Sequence, residues 1–215
     1  YKVGARNENP ARTGFAHLFE HLMFRGTREI PNFDLPVQMA CGDNNAFTNN
    51  DYTDFYITLP KDNIETALWL ESDRMEGLDI TPEKLEAEKR VVIEEFRQRY
   101  LNQPYGDQTM LLRALAYKVH PYRWAAIGLA TDHIAGATLA DVESFYRTHY
   151  RPSNAILSIS ADMEEKRMLE LAEKWFAPLA DHPSETAAIP QEPMQTQARQ
   201  TGFAMLATSS VQEVM

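Results

Sequence analysis

The sequence predicts an α+β domain in which helices pack on a mainly antiparallel sheet. Two observations carry this reading. Amphipathic stretches of helical period recur along the chain, and the clearest strand-like stretches between them form a hairpin, not single strands free to line up in parallel. The hydrophobic fraction, 44 %, is ordinary for a globular chain and supplies a core for those helices.

The elements follow in order. Residues 1–6 have a strand's composition, and Asn7 to Arg12 form a polar turn around Pro10. Phe15, Leu18, Leu22 and Phe24 give residues 14–25 the period of a half-buried helix, with Thr13 as its cap and Gly26 at its end. A second helix starts at Asn32 to Asp34, with Pro36 in its first turn and Gly42 past its end. Asn44–Thr48 and Tyr52–Leu59 flank an Asn-Asn-Asp tip and read as two strands of a hairpin. The first is short and polar, as edge strands tend to be. Asn63 to Met75 reads as a helix with Ile64, Leu68 and Met75 inward. Thr81-Pro82 starts a long helix over 82–100, and Asp107 to Val119 forms another. His120 to Asp132 is a loop. Thr138 and Asp141 make a capping box for a helix reaching His149. Asn154 to Ala161 has a strand's composition, and Met163 to Phe176 is a last amphipathic helix. Pro178 to Pro193 reads as a linker, and residues 199–207 as the start of another strand. The expected division is therefore a unit over 1–177, followed at 178–215 by a linker and the possible start of a further domain.

Charge narrows the function classes. A net charge of −10 argues against a phosphate-binding surface. The single Cys41 excludes an internal disulfide. No apolar run approaches transmembrane length.

The chemistry concentrates in His17-Leu-Phe-Glu20-His21, the pattern H-x-x-E-H. On a helix, positions four apart share a face, so His17 and His21 can offer two imidazole nitrogens to one metal ion. Glu20 lies on the same side and can reach a water at that metal. With only six His in the chain, composition alone would produce the pattern in on the order of 1 % of such chains. The order is that of the inverted zinc-peptidase helix. His120, His133, His149 and His182 lack ligand spacing and read as structural or solvated, and Trp69, Trp124 and Trp175 as packing aromatics. Catalytic zinc takes three protein ligands. The third is sought on the helix after Thr81, among Glu86, Glu88, Glu94 and Glu95, where Glu88 and Glu95 share a face.

Gly14 to Thr27 around the H-x-x-E-H pattern, followed downstream by Glu88-Lys-Arg-Val-Val-Ile-Glu94-Glu95, resembles the pitrilysin/insulinase family of zinc metallopeptidases, which includes mitochondrial processing peptidase. Asn44-Asn45-Ala46-Phe47-Thr48 with Asp51 to Tyr56, His120-Pro-Tyr122 through Gly128, and Phe145-Tyr146 with Tyr150 to Asn154 are similar to further stretches of that family, in its order. The resemblance implies Zn2+ held by His17, His21 and Glu95, with Glu94 as the alternative ligand and Glu88 as a supporting acidic residue. It implies Glu20 as the base and an extended peptide substrate paired with the edge strand at Asn45, Ala46 and Phe47. The family's domain begins with strands that would precede Tyr1. Its active enzymes also add a second family domain, in the same chain or in a partner subunit, and no such domain is read after Pro193. The chain is thus expected to be the metal-bearing part of a zinc metalloendopeptidase. A structural subunit without activity is the first rival, although such subunits usually lose parts of the motif. A zinc lyase of related fold such as S-ribosylhomocysteinase is the second, but it needs a downstream Cys ligand that Cys41 does not match.

Overall fold

The computed structural model describes residues 1–181 and 187–199. Its α+β architecture sets helices around one antiparallel hairpin. The order is α1 (Phe15–Leu22), α2 (Asp34–Met39), β1 (Asp43–Thr48), β2 (Thr53–Thr58), α3 (Ile64–Glu76), α4 (Pro82–Phe96), α5 (Gln108–Ala116), α6 (Thr131–Ala135), α7 (Leu139–His149) and α8 (Glu165–Phe176). The expected strand at 199–207 lies, beyond Arg199, outside the described residues, as does His182.

The hairpin pairs Asp43 with Thr58 through Thr48 with Thr53. Its tip is set by Asn49, whose Oδ1 accepts from Asp51 N (2.7 Å) and Tyr52 N (2.9 Å), a turn that Asn makes with its own side chain. Beside β2, Tyr1 and Thr53 exchange two backbone hydrogen bonds, and Lys2 N donates to Asn154 O. The strand expected over 1–6 does not form: residues 1–3 lie in no strand, and Ala5–Asn7 make a 3-10 turn. From Gly4 the chain turns onto the hairpin tip, with Ala5 N and Arg6 N donating to Asn49 O and Asn50 O. A Cβ at Gly4 would lie 2.6 Å from Asn49 O, so this approach needs glycine.

The expected strand 154–161 does not form: Asn154 ends a 3-10 turn, and the segment belongs to no ladder among the described residues. Ile156 is exposed. A groove of about 880 Å³ separates this segment from β2, over a floor that includes Ile64, Leu68 and Phe176. The segment has the composition of a strand but, among the described residues, no neighbour paired with it to make it one.

The main core gathers around α1. Phe15, Leu18, Phe19 and Leu22 pack with Leu85, Val92 and Phe96 of α4, and with Ile127, Ile134, Val142 and Tyr150. Only Glu20 and His21 of α1 keep appreciable exposure, so the helix expected to be half buried is buried nearly all round. It is also shorter than 14–25, because the chain turns away after Leu22. In α3 the buried apolar residues are Leu68 and Leu70, while Ile64 and Met75 stay partly exposed. Arg74, wholly buried, lies over the rings of Phe33 (4.6 Å) and Phe55 (4.2 Å) and donates to Glu71 (2.8 Å). Thr81 caps α4, accepting from Lys84 N, and Pro82 occupies its first position. The helix continues past Phe96 as a single π-helical turn over 97–101. The capping box of Thr138 and Asp141 forms as the sequence predicts. At the far end of the chain, α8 packs on α3, where Trp175 Nε1 donates to Glu65 (3.1 Å).

Candidate metal centre

Two helices build the site. The first, α1, enters through Gly14 at φ 94°. A Cβ there would lie 2.6 Å from Ile127 O, so glycine lets the loop carrying Ile127 close on the helix start. Thr13 does not cap the helix. Its hydroxyl accepts from Leu129 N (2.7 Å), and its N–H donates to His133 Nδ1 (3.1 Å). The cap comes instead from Glu8, buried beneath the helix. Glu8 Oε2 accepts from Gly14 N and Oε1 from Ala16 N, both at 2.9 Å. Trp124 Nε1, also buried, donates to Glu8 Oε2 and to Ala5 O, each at 3.0 Å. Burial raises the Glu8 carboxyl above its ordinary range, against the pull of the Ala16 and Gly14 N–H groups and the indole.

The second helix, α4, buries Leu85, Glu88, Lys89, Val92 and Phe96 along one face, while Val91 is exposed. That face turns Glu88 and Glu95 toward α1. His17 Nε2 lies 3.6 Å and His21 Nε2 3.4 Å from Glu95 Oε2. The three ligand atoms fall within 4.8 Å of one another, which makes His17, His21 and Glu95 a group able to hold a metal ion. Glu94 is half exposed and pairs with Arg97 and Gln98 away from this cluster.

Two acidic residues sit beside the three. Glu88, almost fully buried, approaches His21 Nδ1 at 3.3 Å and accepts from Arg25 Nε at 2.6 Å. A carboxylate on the far ring nitrogen fixes which nitrogen faces a metal. Glu20 keeps a buried Oε2 with no hydrogen-bond partner among the described residues, and His17 Nδ1 is likewise unpartnered. Buried polar atoms are seldom left so, and a cluster of two imidazoles and a carboxylate with an orphaned acid beside it has the donor chemistry of a zinc site.

The two imidazoles differ electrostatically. Burial, and then His21, push His17 down to about 3, so it is neutral at pH 7 with a lone pair to give. His21 is raised. Burial pulls it down, but its bond to Glu88 and the charge of Glu95 outweigh that. Glu88 is lowered, because His21 and Arg25 outweigh the cost of its burial.

Beside α1 lies β1, with β2 on one side and no strand on the other among the described residues. Asn49 N donates to Tyr52 O. Hydrogen-bonded pairs alternate along an antiparallel ladder, so Asn45 and Phe47 are tied to β2, and the N–H and C=O of Ala46 face the open edge. Ala46 N donates only to the side chain of Asn45, at 2.9 Å. Phe47 is exposed and packs against Tyr52.

Sequence reasoning missed Glu8, Arg25, Arg99 and Trp124. One of these carries a signal: Arg99, which donates to Glu95 Oε1 (2.5 Å), follows Glu95 by four. Arg25 meets Glu88 on the other helix, a contact that no local spacing announces. Glu8 and Trp124 meet across more than a hundred residues, and no local pattern announces that. His133 holds Thr13 through its Nδ1, and His149 is buried against Phe145.

Comparison with known proteins places the chain. The family model described as Insulinase (Peptidase family M16) matches residues 1–125, and one described as Peptidase M16 inactive domain matches residues 136–204. The zinc protease PqqE of Helicobacter pylori is 35% identical over 203 residues, which cover 93% of this chain and 46% of that protein. A probable mitochondrial-processing peptidase subunit beta of Arabidopsis thaliana is 24% identical over 191 residues, covering 87% of this chain and 35% of that protein. Among solved structures, a protease from Helicobacter pylori superposes with a TM-score of 0.83 at 35% identity, covering 91% of this chain and 47% of that one. The chain therefore spans half or less of the length of the relatives it matches.

Proposed function

The chain belongs to the insulinase family of peptidases, family M16, and from that membership and the geometry of its two helices we propose that it is the metal-bearing part of a zinc-dependent endopeptidase acting on extended peptides or unfolded polypeptides. The observation that carries the proposal is the convergence of His17, His21 and Glu95 with Glu20 held beside them unpartnered. In this reading residues 1–177 are the peptidase unit and residues 178–215 its connection to a second family domain, in the same chain or in a partner subunit.

His17, His21 and Glu95 would hold the zinc. Bound there, zinc supplies Lewis acidity, polarising the scissile carbonyl and acidifying a water. The remaining work falls to the chain. Glu20 takes the proton from the attacking water and returns it to the leaving amide nitrogen. Glu88 and Arg25 hold the His21 ring by its Nδ1 side, and Arg99 holds Glu95 by its second oxygen. The open edge of β1 orients the substrate, with the Ala46 N–H and C=O pairing with an extended peptide and Asn45 and Phe47 flanking it.

A subunit of this family without activity is the second reading. The complete set of His17, Glu20, His21 and Glu95 favours the enzyme. The test is zinc content and hydrolysis of an unstructured peptide by the whole protein, before and after chelation. About one zinc per chain is expected, with activity lost on chelation and restored by zinc. A protein that binds zinc and never hydrolyses peptides would be the structural subunit, and one that binds none would refute both site and function.

A further inference from the structure

We propose that Glu8 is a positioning residue for the metal helix: its buried carboxyl group, clamped between the first turn of α1 and the Trp124 indole, fixes where that helix presents His17, Glu20 and His21. The inference rests on the zinc reading of those residues. The helix they stand on has only eight residues. So short a helix has little stability of its own, and its first N–H groups lack partners within it. Gly14 at the N-cap has no side chain to supply one. Glu8 does so from outside, reaching Gly14 N and Ala16 N with one oxygen each, at 2.9 Å.

The anchor is itself anchored. Trp124, 1% exposed, ties Glu8 Oε2 and Ala5 O together with a single N–H. Thus a turn before the helix and a loop more than a hundred residues after it meet at one carboxyl group. Ala16, one end of the clamp, immediately precedes His17. Loosening it lets the first turn fray and moves both imidazoles relative to Glu95, which is carried by the separate helix α4.

The variant that tests this is Glu8→Gln. It keeps the volume and one acceptor oxygen, but sets an NH2 group against N–H donors. Zinc itself is the probe, titrated against a chromophoric chelator with the whole protein. The dissociation constant should rise about five- to thirtyfold in Glu8→Gln, the factor equivalent to a lost helix cap. Peptide hydrolysis should lose kcat by a similar factor, with KM within twofold, because the edge strand is untouched. A lower melting temperature with unchanged zinc affinity and kcat would mean that Glu8 is only structural, and would overturn the proposal. Should Glu8→Gln yield no folded protein, Trp124→Phe decides. It removes one donor to Oε2 and should weaken zinc at least threefold, whereas wild-type affinity would overturn the proposal. Wild-type protein that takes up no zinc removes the zinc reading itself. Wild type that binds zinc, with a Glu8→Gln indistinguishable from it, removes the role of Glu8 alone.

Discussion

At the scale of single residues, the chain places its buried ionisable groups in two kinds of setting. Glu88 is buried with partners, His21 on one oxygen and Arg25 on the other, so its charge is retained. His149 is buried without one: its Nδ1 has no partner among the described residues, and the Phe145 ring lies 4.6 Å away. Burial, and then Arg151, push His149 down to about 4. Unfolded histidine binds a proton near 6.5, so between about pH 6.5 and 4 the unfolded chain takes up a proton that the folded chain refuses. Stability is full above that window and falls as the pH falls through it, by at most about 3 kcal/mol from this residue. Urea unfolding of wild type and His149→Phe across the window should show the wild-type curve dropping more steeply in acid. Parallel curves would mean that His149 does not titrate this way.

At the scale of elements, the features legible in the sequence were those whose cause is local. The capping box of α7, the Thr81-Pro82 start of α4 and the hairpin tip at Asn49 each arise from residues a few positions apart, and each forms. The start of α1 was misassigned to Thr13 because its true cap, Glu8, reaches it through tertiary contact. Residues 154–161 show why a strand cannot be read from composition alone: its definition includes a neighbour. The edge strand carries the functional prediction at this scale. Replacing Ala46 with Pro removes the N–H that faces the open edge and no bond to β2. Peptide cleavage by the whole protein should fall in Ala46→Pro, while zinc content stays at the wild-type level. Unchanged kinetics would show that the substrate does not add to β1.

At the scale of the whole molecule, the proposed site is a meeting of two helices, and its His21 and Glu95 stand more than seventy positions apart in the sequence. The spacing of His17 and His21 points to one half of that proposed site, since four residues make one turn. The other half was not legible from spacing, which left four glutamates open on the second helix. The resemblance to the zinc peptidases selected Glu95, and the fold turns Glu95 inward and Glu94 out. The central claim is the separation of ligand from base, and one paired measurement on the whole protein reaches it: zinc per chain and peptide turnover for Glu20→Gln beside Glu95→Gln. Glu95→Gln should lose zinc affinity, because it removes the charged member of a three-ligand set. Glu20→Gln should keep its zinc while turnover falls by roughly a hundredfold to ten-thousandfold, as expected for a lost general base. A Glu20→Gln protein that loses its zinc, or that turns over at nearly the wild-type rate, would contradict the account.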